Sequence, residues 1–168
     1  KISQTWDGEK WIPSTTSVYN TESSEEECRF VCKEHYEWDS ENKICAAEKQ
    51  EAACTGLPAN AEWHYATIEQ TWNGTTWAPT VNGTHSTGAI ENECHFRCID
   101  EGDKYKWENN ACVANTKPGQ NCTGLPDNAE WFYSSISQTW NGSEWLPTTA
   151  GSYNTESNPA YCRYKCKE

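Results

Sequence analysis

Ten Cys are the residues of this chain best suited to chemistry, and their spacing decides which chemistry. Three C-x-x-x-C pairs occur, Cys28/Cys32, Cys94/Cys98 and Cys162/Cys166. Zinc ribbons and thiol redox centres place two residues between their cysteines, one fewer than here. Haem attachment needs a His directly after the second Cys, where this chain has Lys33, Ile99 and Lys167. An even number of Cys in a short polar chain reads instead as a disulfide framework. Cys54 and Cys94 are separated by 40 residues, as are Cys122 and Cys162. Among the possible pairings this equality favours Cys54–Cys94 and Cys122–Cys162, which leaves Cys98–Cys112 and Cys32–Cys45. Cys28 and Cys166 are then left over. No cofactor is implied.

The other reactive residue types form no unique constellation. His35, His64, His85 and His95 are replaced in related stretches by Lys104, Phe132, Tyr153 and Arg29 or Arg163. A metal site built by the repeat would keep its ligands, so these His read as surface residues and no metal site is expected. No calcium loop, Ser/His/Asp set or phosphate-binding Gly loop is present. The chain is expected not to be an enzyme. Trp can stack on sugar rings, which makes Trp72, Trp77, Trp140 and Trp145 the candidate ligand-binding residues, although Trp also supplies core. Asn73, Asn82, Asn121 and Asn141 satisfy the N-x-[ST] pattern and are candidate glycosylation sites.

The elements that position these residues come from an internal repeat. Residues 54–98 read CTGLPANAEWHYATIEQTWNGTTWAPT…CHFRC, and residues 122–166 read CTGLPDNAEWFYSSISQTWNGSEWLPT…CRYKC. An incomplete copy opens the chain as KISQTWDGEKWIPS…CRFVC. The expected divisions are an incomplete first repeat at 1–53, a complete repeat at 54–121 and an incomplete third at 122–168. Every Trp has an equivalent in another copy, as have all ten Cys.

Each copy has two halves. The first carries I-x-Q-T-W-[ND]-G-x-x-W-x-P. Asn-Gly between alternating residues predicts a type I′ hairpin, with Gly74 and Gly142 at positive φ and the two Trp facing each other. The second half carries Tyr36-Glu-Trp38 or Tyr105-Lys-Trp107, a polar turn and a Cys, which predicts a shorter hairpin. Glu22–Glu27 leaves room for one helical turn, and no longer helical period exists. The chain starts and stops inside a copy, so the expectation is a window on a longer repetitive polypeptide.

Composition sets the compartment. Leu, Ile, Val and Phe total seventeen and the net charge is -12, a balance that alone predicts disorder. Ten Trp and ten Cys argue for folding. Aromatic burial and crosslinks worth roughly 2–4 kcal/mol each can replace a missing aliphatic core. Most of the Trp are therefore expected to be largely buried or packed on each other and on the disulfides. Disulfides persist in oxidising compartments, which predicts a secreted or cell-surface protein whose export leader lies outside these residues. The acidic balance excludes nucleic acid as a partner, and no run is apolar enough for membrane insertion.

The succession C-x-G-L-P-x-N-A-x-W, I-x-Q-T-W-N-G-x-x-W-x-P, C-[RH]-[FY]-x-C and Y-x-W resembles Cys-rich tandem repeats of very large, mostly uncharacterised bacterial surface proteins. That resemblance covers the whole chain and implies an extracellular setting without naming a ligand. The expected fold is all-β, small disulfide-stapled β-hairpin repeats in a linear tandem array. The expected role is a structural segment of a surface fibre, stalk or filament. Its partners would be neighbouring repeats or copies of itself, assembled head to tail. The alternative is an adhesin or carbohydrate-binding module that uses exposed Trp and Tyr on surface glycans.

Overall fold

The computed structural model describes residues 1–168. They form two compact units, Lys1–Ala53 with Thr67–Val81, and Cys54–Ala66 with Asn82–Glu168. All regular structure is β, in short strands with no helix. The 22–27 segment, where a helical turn was expected, forms bends, with Ser24 Oγ accepting the Glu26 N–H at 3.1 Å. Four Glu in six residues repel one another too strongly for a lone turn that has no packing partner.

In the first unit, β1 (Thr5–Trp6) and β2 (Trp11–Ile12) form an antiparallel hairpin. β3 (Val18–Tyr19) runs parallel to β4 (Arg29–Phe30). β5 (Tyr36–Asp39) and β6 (Ile44–Ala47) form the second hairpin, followed at once by β7 (Lys49–Ala53). β8 (Ala61–Trp63) belongs to the other unit, but β9 (Thr67–Trp72) and β10 (Trp77–Ala78) return to this one. There β7 pairs with β9 from Lys49↔Thr71 to Ala53↔Thr67, making the sheet β10-β9-β7. This pairing is why the packing divides the chain differently from the sequence period.

The second unit repeats the pattern. β11 (Thr84–His85) is parallel to β12 (His95–Cys98), whose other edge carries β8. β13 (Tyr105–Glu108) and β14 (Ala111–Ala114) form a hairpin that leads into β15 (Thr116–Asn121). β16 (Ala129–Trp131) pairs with β20 (Arg163–Cys166), which also carries β19 (Ser152–Tyr153) in parallel. β15 pairs with β17 (Ser135–Trp140), and β17 with β18 (Trp145–Leu146). A bulge between Lys117 and Gln120 absorbs the local irregularity at Pro118-Gly119.

The I-x-Q-T-W motif is a packing device. Gln4, Gln70 and Gln138 donate Nε2–H to the carbonyls of Pro13, Pro79 and Pro147 at 2.8, 2.7 and 2.8 Å. Each of these Pro follows a cis peptide bond. Gln70 and Gln138 are buried, and the bond satisfies an amide that would otherwise be costly to desolvate. The turn differs from the type I′ expectation. Gly74 and Gly142 have positive φ, but Asn73 and Asn141 do not. The Trp72↔Trp77 pair leaves a four-residue loop, with Asn73 Oδ1 accepting the N–H groups of Thr75 and Thr76 at 3.0 and 2.9 Å. The Asn side chain supplies the turn bonds, so Asn itself stays at negative φ.

The Trp pack on one another in pairs as expected, but the core itself differs from expectation. No Trp is fully buried; Trp6 and Trp11 are exposed and the other eight are half-buried. Sheets of two or three strands are too narrow to enclose an indole on every side. The residues that are buried are Ile68, Phe96, Ala129, Ile136 and four cysteines, Cys94, Cys98, Cys112 and Cys162. Trp63 and Trp131 instead pack against Gly83 and Gly151, where any Cβ would overlap the indole ring. Neither Gly has positive φ, so the need for Gly here is purely spatial. Gly83→Val is therefore expected to cost about 1–3 kcal/mol through overpacking, read as a lowered denaturation midpoint. The same change combined with Trp63→Leu should recover part of that loss.

Candidate functional site

Four disulfides close the chain: Cys32–Cys45, Cys54–Cys94, Cys98–Cys112 and Cys122–Cys162. Cys28 and Cys166 are free thiols, the former half-buried and the latter exposed. The equal separations of 40 reappear as the two long loops. Crosslinks of this density point to an oxidising, extracellular environment.

Between the crosslinks sit aromatic clusters. In the first unit Tyr19 stacks on Trp38 at 4.7 Å, and Phe30 meets that indole edge-on at 5.5 Å. In the second unit His85 stacks on Trp107 at 4.5 Å, with Phe96 edge-on at 5.5 Å. His85 thus occupies the position of Tyr19, and of Tyr153, which packs on Tyr164. Edge-to-face and offset contacts of this kind contribute about 0.5–1.5 kcal/mol each beyond area burial.

His85 differs from its Tyr equivalents in having a charged partner. Its Nε2 lies 3.0 Å from each Glu101 carboxylate oxygen, and Glu101 Oε2 also accepts the Cys98 N–H at 3.0 Å. Glu101 comes from the longer link between Cys98 and Trp107, which the first copy lacks. Burial pushes the Glu101 carboxyl up, but the hydrogen bonds from His85 and from the Cys98 N–H outweigh it and hold the group below its ordinary range. A lowered folded-state value stabilises the protein above the ordinary carboxylate pKa, and the gain is lost as pH falls through the folded value. Glu101→Gln is expected to cost about 1–2 kcal/mol at pH 7. The gap from the parent chain should begin to narrow only below about pH 4.5 and close as pH falls through the lowered folded value, to be read from unfolding curves at pH 7 and across that acid range.

The expectation that all four His are surface residues does not hold. Besides His85, His64 places Nε2 2.8 Å from the Ser86 carbonyl, and His95 pairs with Glu93 at 2.7 Å. His35 lies on Trp72 with centroids 4.2 Å apart. Each is half-buried, because imidazole fills spaces left by strands too short to supply aliphatic cover. His85, Cys98 and Glu101 lie within 4.8 Å of one another, but Cys98 sulfur is bonded to Cys112 and has no thiolate to offer a metal. Beside them a cleft of about 260 Å³ is lined by Glu62, Thr87, Arg97, Asp100 and Glu101, with Arg97 Nε 2.9 Å from Glu62.

The candidate ligand-binding Trp come together in pairs and are covered. Trp72 and Trp77 meet edge-on at 5.6 Å, and His35 lies against both rings. Trp140 and Trp145 are also 5.6 Å apart, with Lys104 Nζ over the first at 5.1 Å and Lys117 Nζ over the second at 4.1 Å. The open pair is Trp6 and Trp11, 5.7 Å apart and 51 % and 58 % exposed. All three hairpins share the motif, with Asp7 in the first where the others have Asn73 and Asn141. What covers the other two is the segment just ahead of each, β5 to β7 and β13 to β15. The sequon residues Asn73, Asn82, Asn121 and Asn141 are all exposed. Thr75 Oγ1 and Ser143 Oγ donate to the Oδ1 atoms of Asn73 and Asn141 at 3.0 and 3.1 Å. No helix is long and apolar enough to cross a membrane. No family model, curated protein or solved structure matches this chain.

Proposed function

We propose that the chain is a structural segment of an extracellular surface fibre, stalk or filament, built from tandem half-copies. The observation that carries the reading is the pair of three-stranded sheets β10-β9-β7 and β15-β17-β18. In each, a strand leaving one disulfide-closed hairpin hydrogen-bonds to the first strand of the next Trp hairpin. Successive half-copies are thus joined by backbone bonds as well as by the covalent chain, and crosslinks inside each limit its extension. The alternative of a sugar-binding face is weakened by the cover over the four candidate Trp, which leaves Trp6 and Trp11 for that role.

Electron micrographs of native material are expected to show filaments or stalks; isolated compact particles would overturn the fibre reading. A glycan array tests the adhesive alternative, which requires binding that Trp6→Ala abolishes.

A further inference from the structure

The three Trp hairpins share one sequence pattern but not one environment. Trp72 N–H donates to the Glu48 carbonyl at 3.0 Å, and Trp140 N–H to the Asn115 carbonyl at 3.1 Å. Both acceptors stand directly before the strand that pairs with the hairpin's outer edge, β7 or β15. The same incoming segment lays His35 or Lys104 on the indoles. It also brings the Tyr36 or Tyr105 hydroxyl to within 3.7 or 4.0 Å of where a Cβ on Gly74 or Gly142 would stand. The first hairpin has none of this. β1 pairs with β2 alone, nothing lies within 4 Å of the corresponding point at Gly8, and both indoles are exposed.

We propose that the open side of this first hairpin, formed by the outer edge of β1 with Trp6, Trp11 and Gly8, is a docking surface for one polypeptide segment. Its occupant has the chemistry of residues 104–121: a cationic or imidazole side chain followed by Tyr, then a strand that adds to β1. An unpaired strand edge offers backbone bonds to such a segment, and an exposed indole pair offers a face for its cation. Continuity with the two covered hairpins identifies the occupant, because the same kind of segment fills the same place twice in this chain. A second copy of the chain does not fit as it stands, since its own two segments of this kind are already engaged in β7-β9 and β15-β17. The inference rests on the tandem half-copy reading above and names the partner of one surface.

The test is hydrogen exchange on the full chain extended ahead of Lys1 by a second copy of residues 99–134, which joins in phase because Lys1 aligns with Ser135. Amides of residues 3–12 are expected to exchange at least about ten-fold more slowly than in the parent chain. An extension carrying only residues 122–134 should leave them at the parent rate. Exchange across 67–78 and 135–146 in the same samples reports whether the parent fold survives the addition. If it does not, a peptide of residues 99–121 with Cys112→Ser, added in trans to the unmodified chain, replaces the extension and should slow residues 3–12 alone. Exchange at the parent rate in the folded extended chain, or with the peptide, overturns the proposal, as does equal protection by the short extension. Absence of filaments in micrographs would sink the fibre reading and leave this result standing.

Discussion

Full reduction of the four disulfides is expected to unfold the chain at room temperature without denaturant. The short loops span 13 and 14 residues and the long ones 40 each. Loop-closure entropy assigns about 3 kcal/mol to a short loop and about 4 kcal/mol to a long one. The loops follow one another along the chain and do not overlap, so their contributions largely add. Together they match the whole stability of an ordinary folded domain, about 5–15 kcal/mol. The core gives no second support, since half of its buried apolar residues are the disulfide cysteines themselves. The measurement is amide dispersion in NMR spectra before and after a phosphine reductant, with thiol counting to prove completion. Native dispersion with ten free thiols would contradict it.

The second large effect is expected from Phe96→Ala, at about 3–5 kcal/mol. Phe96 is 4 % exposed and its ring meets Trp63 at 5.8 Å, Trp107 at 5.5 Å and His85 at 6.1 Å. Removing it empties the centre of the cluster, and three rings anchored on separate strands cannot close the gap together. Phe30 holds the equivalent place beside Tyr19 and Trp38 but is only half-buried, so Phe30→Ala should cost clearly less. Denaturant midpoints for the two variants at unchanged slope give the comparison. Equal losses would show that Phe96 is not the centre of its cluster.

The β class was legible because every element is short, most have Gly, Pro, Asn or Asp at one end, and no helical period competes. The pairing of β7 with β9 was not, because Lys49–Ala53 reads as a polar link with no alternation. Its partner is held by backbone bonds together with the Gln50–Gln70 amide bond and the Lys49–Glu69 ion pair, polar contacts that leave no alternation in the side-chain pattern. The buried fraction of Trp was misjudged for a geometric reason: counting large rings says how much apolar surface exists, not whether two-stranded sheets can wrap it. The turn type failed on a chemical detail, the Asn73 carbonyl oxygen replacing a positive φ. Glu101 was invisible as a site residue because it sits in an irregular link. Trp6 and Trp11 were hidden by the likeness of their motif to two covered ones.

The contact of Trp63 with Gly83, and of Trp131 with Gly151, also governs how such a module can change over generations. A larger residue at 83 is tolerable only once the indole has shrunk. A shrunken indole leaves a hollow that Gly cannot fill. Either order of replacement passes through a weakened intermediate, so the two positions are locked in sign epistasis and resist single-step drift. The lock therefore belongs to the couple, not to the glycine, and recombination can exchange the couple only whole.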